Sequence, residues 1–263
     1  MYQEWRYNEF QQIGKDYSSQ EEVDVYDPSH DDFRDLKSEI KEAKEWLAPT
    51  TNSKILDIGC GTGNFSIQLA ACCEKVYAID VSETMLKFAQ AKALSNKVNN
   101  ISFSHTGYLN FELPENHVAG VISSLSLHHL PDFWKSVALN RIFNVLKPGG
   151  RLYLYDVVIP DQQPNDIIND FIKRQEKRGG EFMKEDTIIH FKEEYSTFDW
   201  IMKKLLTDTG LIIKGEQFSD GVFKKYLCEK PNKKLQYSAT FIHLIRLLRN
   251  RKYSIHFTII TLF

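Results

Sequence analysis

Residues 55–63, Ile-Leu-Asp-Ile-Gly-Cys-Gly-Thr-Gly, constrain the fold more than any other stretch of the 263-residue chain. An apolar strand carrying Asp57 runs into a turn with glycine at 59, 61 and 63. Glycine has no Cβ, so the backbone there takes positive φ and lets a ligand approach closely. A strand, such a turn and then a helix build the nucleotide crevice of open α/β sheets, at the carboxyl ends of their strands. The dinucleotide fingerprint puts its third glycine three residues after the second, inside the helix. Here that position is Asn64, and the third glycine stands at 63. The plain alternative for a lone glycine-rich stretch is a strand-to-helix turn that holds no ligand.

The residues downstream weigh against that alternative. Lys75–Asp80 reads as a second strand ending in a carboxylate, about 20 residues after the turn, where a doubly wound fold places the acid that accepts from ribose hydroxyls. Ser82 is a plausible N-cap for a helix with Met85, Leu86 and Ala89 at helical spacing. Strands are predicted at 53–58, 75–80, 101–105, 118–123 and 150–159, with helices at 63–73, 82–95 and about 132–146. This alternation implies an α/β fold with a parallel sheet, right-handed crossovers and helices on both faces. Leu36, Ile40, Ala43 and Leu47 predict an amphipathic helix over 34–48, closed by Pro49. Residues 160–196 break the rhythm, with a helix at 165–178, a Gly179-Gly180 stop and a mixed loop. Following a strand's carboxyl end, they are expected to cap the crevice. A helix at 197–209 and strands at 211–218 and 222–229, joined by Ser219-Asp220-Gly221, complete the pattern.

The expected domains are an N-terminal lid or helical segment at 1–48, a main domain at 49–230 containing the cap, and an appendage at 231–263. Residues 1–33, aromatic and acidic, read equally as a lid or as a strap packed on the domain. In the appendage, Phe241–Arg249 reads as a short basic amphipathic helix, either an interfacial anchor or a variable extension; the extension is the favoured reading. A net charge of −2 gives no global attraction to polyanions. No signal peptide or apolar span of about 18 residues is present, so a cytoplasmic protein is expected. Cys60, Cys72, Cys73 and Cys228 have neither disulfide-redox nor zinc spacing and read as reduced packing residues.

The GxGxG turn with an acid two residues before its first glycine, together with Asp80-Val81-Ser82-Glu83-Thr84-Met85-Leu86, resembles class I S-adenosylmethionine-dependent methyltransferases. The resemblance spans roughly 50–160 and extends to about 229. It implies a Rossmann-like seven-stranded, mostly parallel sheet with a terminal antiparallel hairpin strand, and S-adenosylmethionine as cofactor. It further implies that Gly59, Cys60, Gly61 and Gly63 run against the methionine and ribose portions. Asp57 would stand near the amino end, Asp80 would hold the ribose hydroxyls, and Val81 and Met85 would lie beside the base. Family members commonly carry Gly-Asp after the third strand, the Asp accepting from the adenine amino group. Here Tyr108 follows Gly107, which leaves adenine to backbone groups or Thr106.

Ser123–Leu130 resembles the Leu-His-His segment of small-molecule members similar to the quinone C-methylases, with Ser124 and Leu125 beside the cofactor. His128 or His129 is the candidate general base, against the alternative of a structural capping histidine. Adjacent histidines on a turn point different ways, so no metal is expected. The nucleobase-amine and cytosine-C5 signatures, Asn/Asp-Pro-Pro-Tyr and Pro-Cys, are absent. Lys147-Pro-Gly-Gly-Arg-Leu152 matches the family's architectural turn. Tyr17, His190 and Tyr195 are the candidate substrate contacts, with Glu194 and Asp199 as further polar candidates in or beside the cap. The expected activity is SN2-like methyl transfer to oxygen, carbon or nitrogen of a small molecule, releasing S-adenosylhomocysteine. A catalytically silent cofactor-binding partner protein and an RNA methylase are the alternatives, and no oligomeric state is assigned.

Overall fold

The computed structural model describes residues 4–11, 13 and 35–232. Tyr17, most of the expected lid and the appendage beyond Asn232 lie outside the described residues. The strands are β1 Lys54–Ile58, β2 Lys75–Asp80, β3 Ile101–His105, β4 Val118–Ser124, β5 Leu146–Ile159, β6 Thr197–Phe198, β7 Ile212–Ser219 and β8 Phe223–Glu229. The helices are α1 Leu36–Leu47, α2 Asn64–Ala70, α3 Glu83–Ser95, α4 Asp132–Val145, α5 Pro164–Glu193 and α6 Asp199–Asp208. The sheet order is β3-β2-β1-β4-β5-β8-β7, with the two-residue β6 paired to β5. β1 to β5 are mutually parallel, and β8 runs antiparallel between β5 and β7. The doubly wound α/β fold with its terminal hairpin is thus the observed one.

Alternating side chains along each strand feed two cores, because successive Cβ atoms leave opposite faces of a sheet. Leu56, Val121, Leu152 and Leu154 pack with α4 and α6 through Leu139, Ile142, Met202 and Leu206. Ile55, Ile122, Tyr153 and Tyr155 pack on the other face with Leu47, Leu69 and Leu86 from α1, α2 and α3. Burial on both faces is what makes the central strands read as near-continuous apolar runs. The local signals are plain in α3, where the Ser82 hydroxyl accepts from the Met85 amide at 3.1 Å and caps the helix.

Two boundaries depart from expectation. β5 begins at Leu146 rather than 150, because pairing with β4 continues from Val118 through a register shift and absorbs the Pro148-Gly149-Gly150 turn. Gly179 and Gly180 bend α5 instead of ending it. Their φ angles of −134° and +69° interrupt the helix, which then resumes to Glu193 in place of the expected mixed loop. Lys184 reaches Glu176 across the joint and Glu181 on its own side of it, at 3.1 Å each. Among the described residues, no helix is long and apolar enough to cross a membrane.

Candidate active site at the carboxyl edge of the sheet

The glycine turn is tied to the end of β2. The amides of Gly59 and Cys60 both donate to the Ile79 carbonyl, at 2.9 and 3.0 Å. The Gly61 amide donates to Asp80 Oδ2 and the Ser82 amide to Asp80 Oδ1, each at 2.8 Å. One carboxylate therefore holds the turn after β1 and the start of α3 together, and burial raises its pKa. Gly59 has φ +69°, and a Cβ there would lie 2.4 Å from Ser126 Cβ. Only glycine fits.

A cleft with about 840 Å³ of empty volume, solvent at its mouth included, opens over this turn. Gly59, Gly61, Asp80, Val81, Met85, Gly107, Ser124, Leu125 and His129 all line it. Sequence reasoning missed Glu9, Tyr108 and Ser126, which line it as well. Leu125 takes φ +50°, a strained value for a branched side chain at a cleft wall. The remaining candidates are placed elsewhere. Asp57 lies beneath the turn, 2% exposed, and accepts from the Ser66 hydroxyl on α2 at 2.6 Å. Burial and the charge of Asp80 lift it to about 7, against that hydrogen bond. Gly63 packs on Ala89 of α3, and Cys60 is buried with its thiol pKa pushed well up by burial. The Thr106 hydroxyl is bonded to Asn110. Tyr108 turns its hydroxyl inward to Ser123 and Ser126, both at 2.6 Å.

The two histidines separate. They sit on a 3₁₀ turn, Leu127–His129, just after β4. His128 is 5% exposed and bonds Asp156 of β5 through Nδ1, with Nε2 3.1 Å from Glu194 at the end of α5. Burial opposes its charge, but Asp156 and Glu194 outweigh burial and raise it to about 9. His129 faces the cleft, and burial with the neighbouring His128 charge pushes its pKa down. His190 packs against Glu194, Nδ1 to Oε2 2.5 Å, and the Tyr195 amide donates to the His128 carbonyl at 2.9 Å. Both therefore hold the histidine turn rather than line the cleft. His128, His129 and Glu194 bring three possible ligand atoms within 4.8 Å of one another, the third donor being one that sequence could not place beside the pair. Asp199 joins α6 to β8 through Lys224 and Tyr226, both at 2.6 Å.

The raised His128 pKa sets a pH dependence. A cation stabilised by folding contributes fully below its unfolded pKa of 6.5 and loses that contribution as pH rises through about 9. Between pH 7 and 9 the loss is about 2 kcal/mol, which lowers Tm by roughly 4–8 °C in a domain of this size. Asp57 and Glu9, both lifted to about 7, cost stability as pH rises toward 7, so most of their effect is complete before that window opens. Thermal melts at pH 7 and pH 9 check this, and a flat Tm would contradict the assignment.

The cleft suits a nucleoside. A Cβ-free turn forms its floor, and Asp80 and Glu9 line it as two separate carboxylates. A family model described as "Methyltransferase domain" matches residues 55–150. An uncharacterized methyltransferase of Geobacillus sp. strain WCH70 is 28% identical over 198 residues, covering 74% of this chain and 88% of the relative. A demethylmenaquinone methyltransferase of Listeria welshimeri is 26% identical over 191 residues, covering 70% of this chain and 75% of the relative. The fold is shared with a SAM-dependent methyltransferase structure from Aquifex aeolicus, at TM-score 0.56 and 20% identity over 80% of this chain and 97% of that one. With the glycine turn, the strand-end Asp80 and this sheet order, the chain carries a methyltransferase domain and is similar to class I S-adenosylmethionine-dependent methyltransferases.

Proposed function

We propose that the protein methylates a small molecule bound in the cleft beside His129. The observation that carries this reading is the placement of the histidine pair: His128 is buried between Asp156 and Glu194, whereas His129 stands on the cleft wall. The bound cofactor supplies a methyl carbon already activated by a sulfonium, so the chain's task is alignment and, for a protic acceptor, removal of a proton. Gly59 and Gly61 would lie against the cofactor's amino-acid and ribose portions, Asp80 would accept from the ribose hydroxyls, and Val81 and Met85 would flank the base. His129 would take the acceptor's proton as the new bond forms. Asp156 and Glu194, by fixing His128, position the turn that carries it. The relative named for demethylmenaquinone supports a small aromatic acceptor, and oxygen and carbon nucleophiles of that kind head the screen.

Incubation with S-adenosylmethionine and a panel of phenols, quinols and amines is expected to release S-adenosylhomocysteine with at least one acceptor. Binding without release across that panel, or turnover only on RNA, would overturn the small-molecule reading. With a protic acceptor, His129→Ala is expected to lower kcat by roughly 10²-fold while cofactor affinity stays within about threefold. Equal loss in both would make His129 a binding residue instead.

A further inference from the structure

The N-terminal segment contributes a carboxylate, Glu9, to the wall of the cleft. Glu9 is 9% exposed, and its Oε1 accepts from the Leu109 amide at 2.9 Å, a hundred residues away in sequence. Oε2 is buried and has no hydrogen-bond partner among the described residues. The carboxyl is pushed up to about 7 by burial, although the Leu109 and Tyr108 amides and the charges of Arg6 and Arg141 favour its ionised form. A buried acceptor left in that condition lacks a donor.

The surroundings identify which donor. A Cβ built on Gly107 would lie 2.3 Å from Glu9 Oε2 and 2.8 Å from Val81 Cγ1, so the carboxylate and Val81 crowd one point on the cleft wall. That point is occupied by Glu9 because residue 107 has no side chain. Tyr108, the next residue, spends its hydroxyl on Ser123 and Ser126 and has no acceptor to offer. A methyl-donor nucleoside carries three kinds of N–H or O–H donor: ribose hydroxyls, an ammonium and the exocyclic amine of its base. On the reading above, the hydroxyls go to Asp80 and the ammonium to the Gly59 end. The amine remains for the Val81–Gly107 end.

We propose that Glu9 Oε2 accepts a hydrogen bond from the exocyclic amine of the bound cofactor's adenine, so that the N-terminal segment reads the base. An ionised carboxylate only accepts, so it favours a 6-amino purine and repels a 6-oxo one. Gln11 and Ile13 extend the same wall. The segment therefore belongs to the cofactor site and is more than a strap on the domain. This inference rests on the methyl-donor reading of the cleft.

Calorimetry with S-adenosylhomocysteine and S-inosylhomocysteine separates the two. The parent protein is expected to prefer the adenosyl ligand, and Glu9→Gln, whose amide both donates and accepts, to shrink that preference by about 10–100-fold. Parent protein that binds neither ligand contradicts the methyl-donor reading itself. Parent protein that binds and discriminates, with the same preference in the Glu9→Gln variant, overturns the Glu9 inference alone. A second test moves the carboxylate across the gap. Glu9→Ala is expected to lose the adenosyl preference, and Glu9→Ala combined with Gly107→Asp to regain it from the opposite side. A Glu9→Ala protein that keeps the preference unaided overturns the assignment.

Discussion

Replacing Asp80 by alanine is expected to weaken S-adenosylmethionine binding by about 10²–10³-fold. Its carboxylate accepts from the Gly61 and Ser82 amides at 2.8 Å, and both amides lose their acceptor with it. Hydrogen bonds to charged groups contribute about 1.5–3 kcal/mol each, and the proposed ribose contact would be lost as well. Part of the loss falls on the empty protein, because the glycine turn is then no longer tied to the start of α3. Binding must reorder that turn, so affinity suffers beyond the direct contact. Asp80→Asn keeps one acceptor oxygen but sets an amide NH₂ against the other backbone N–H, and its loss is expected to fall between parent and alanine. Calorimetry on the three proteins gives the order, and an alanine variant within threefold of the parent would remove Asp80 from the site.

Gly59→Ala is expected to be the most damaging single methyl in the protein. Two costs combine: a φ of +69° that alanine adopts poorly, and a Cβ 2.4 Å from the Ser126 Cβ. Strain of this kind costs about 1–3 kcal/mol and overpacking about as much again. Relief requires β1 and the turn after β4 to separate, which opens the floor of the cleft. Stability is expected to fall by roughly 2–5 kcal/mol and cofactor binding to fall below detection. Gly180→Ala is the control. Its φ is also +69°, but nothing lies within 4 Å of the added carbon. It is expected to show the strain alone, with cofactor affinity unchanged. If the two variants melt together, steric overlap at Gly59 is not the cause.

What the sequence disclosed follows from how local each signal is. The strand at 75–80, the Ser82 cap and the turn with its Asp80 are written within some thirty consecutive residues, and they fold as read. The Gly179-Gly180 pair reads as a stop because glycine disfavours a helix interior, yet the chain only bends there and resumes as helix, with Lys184 paired to Glu176 across the joint. The histidine pair shows the limit of adjacency: both were equal candidates, and only the 3₁₀ turn sends one under the sheet edge and the other to the cleft. Asp156 left a faint trace as an acid near the end of an apolar strand. Glu9 left none, since its role comes from a contact with Leu109 that no periodicity encodes.

The bent helix α5 braces two separate parts of the molecule. Before the bend, Arg174 and Arg178 grip Asp220 in the β7–β8 turn; after it, His190 and the adjoining Glu194 grip the histidine turn. Neither half touches the glycine turn or Asp80 through any of these bonds. Changes near the bend can therefore alter the support of the histidine turn while the tie between the glycine turn and Asp80 stays untouched. The two glycines act as a seam between a half that braces the terminal hairpin and a half that braces the turn carrying His129.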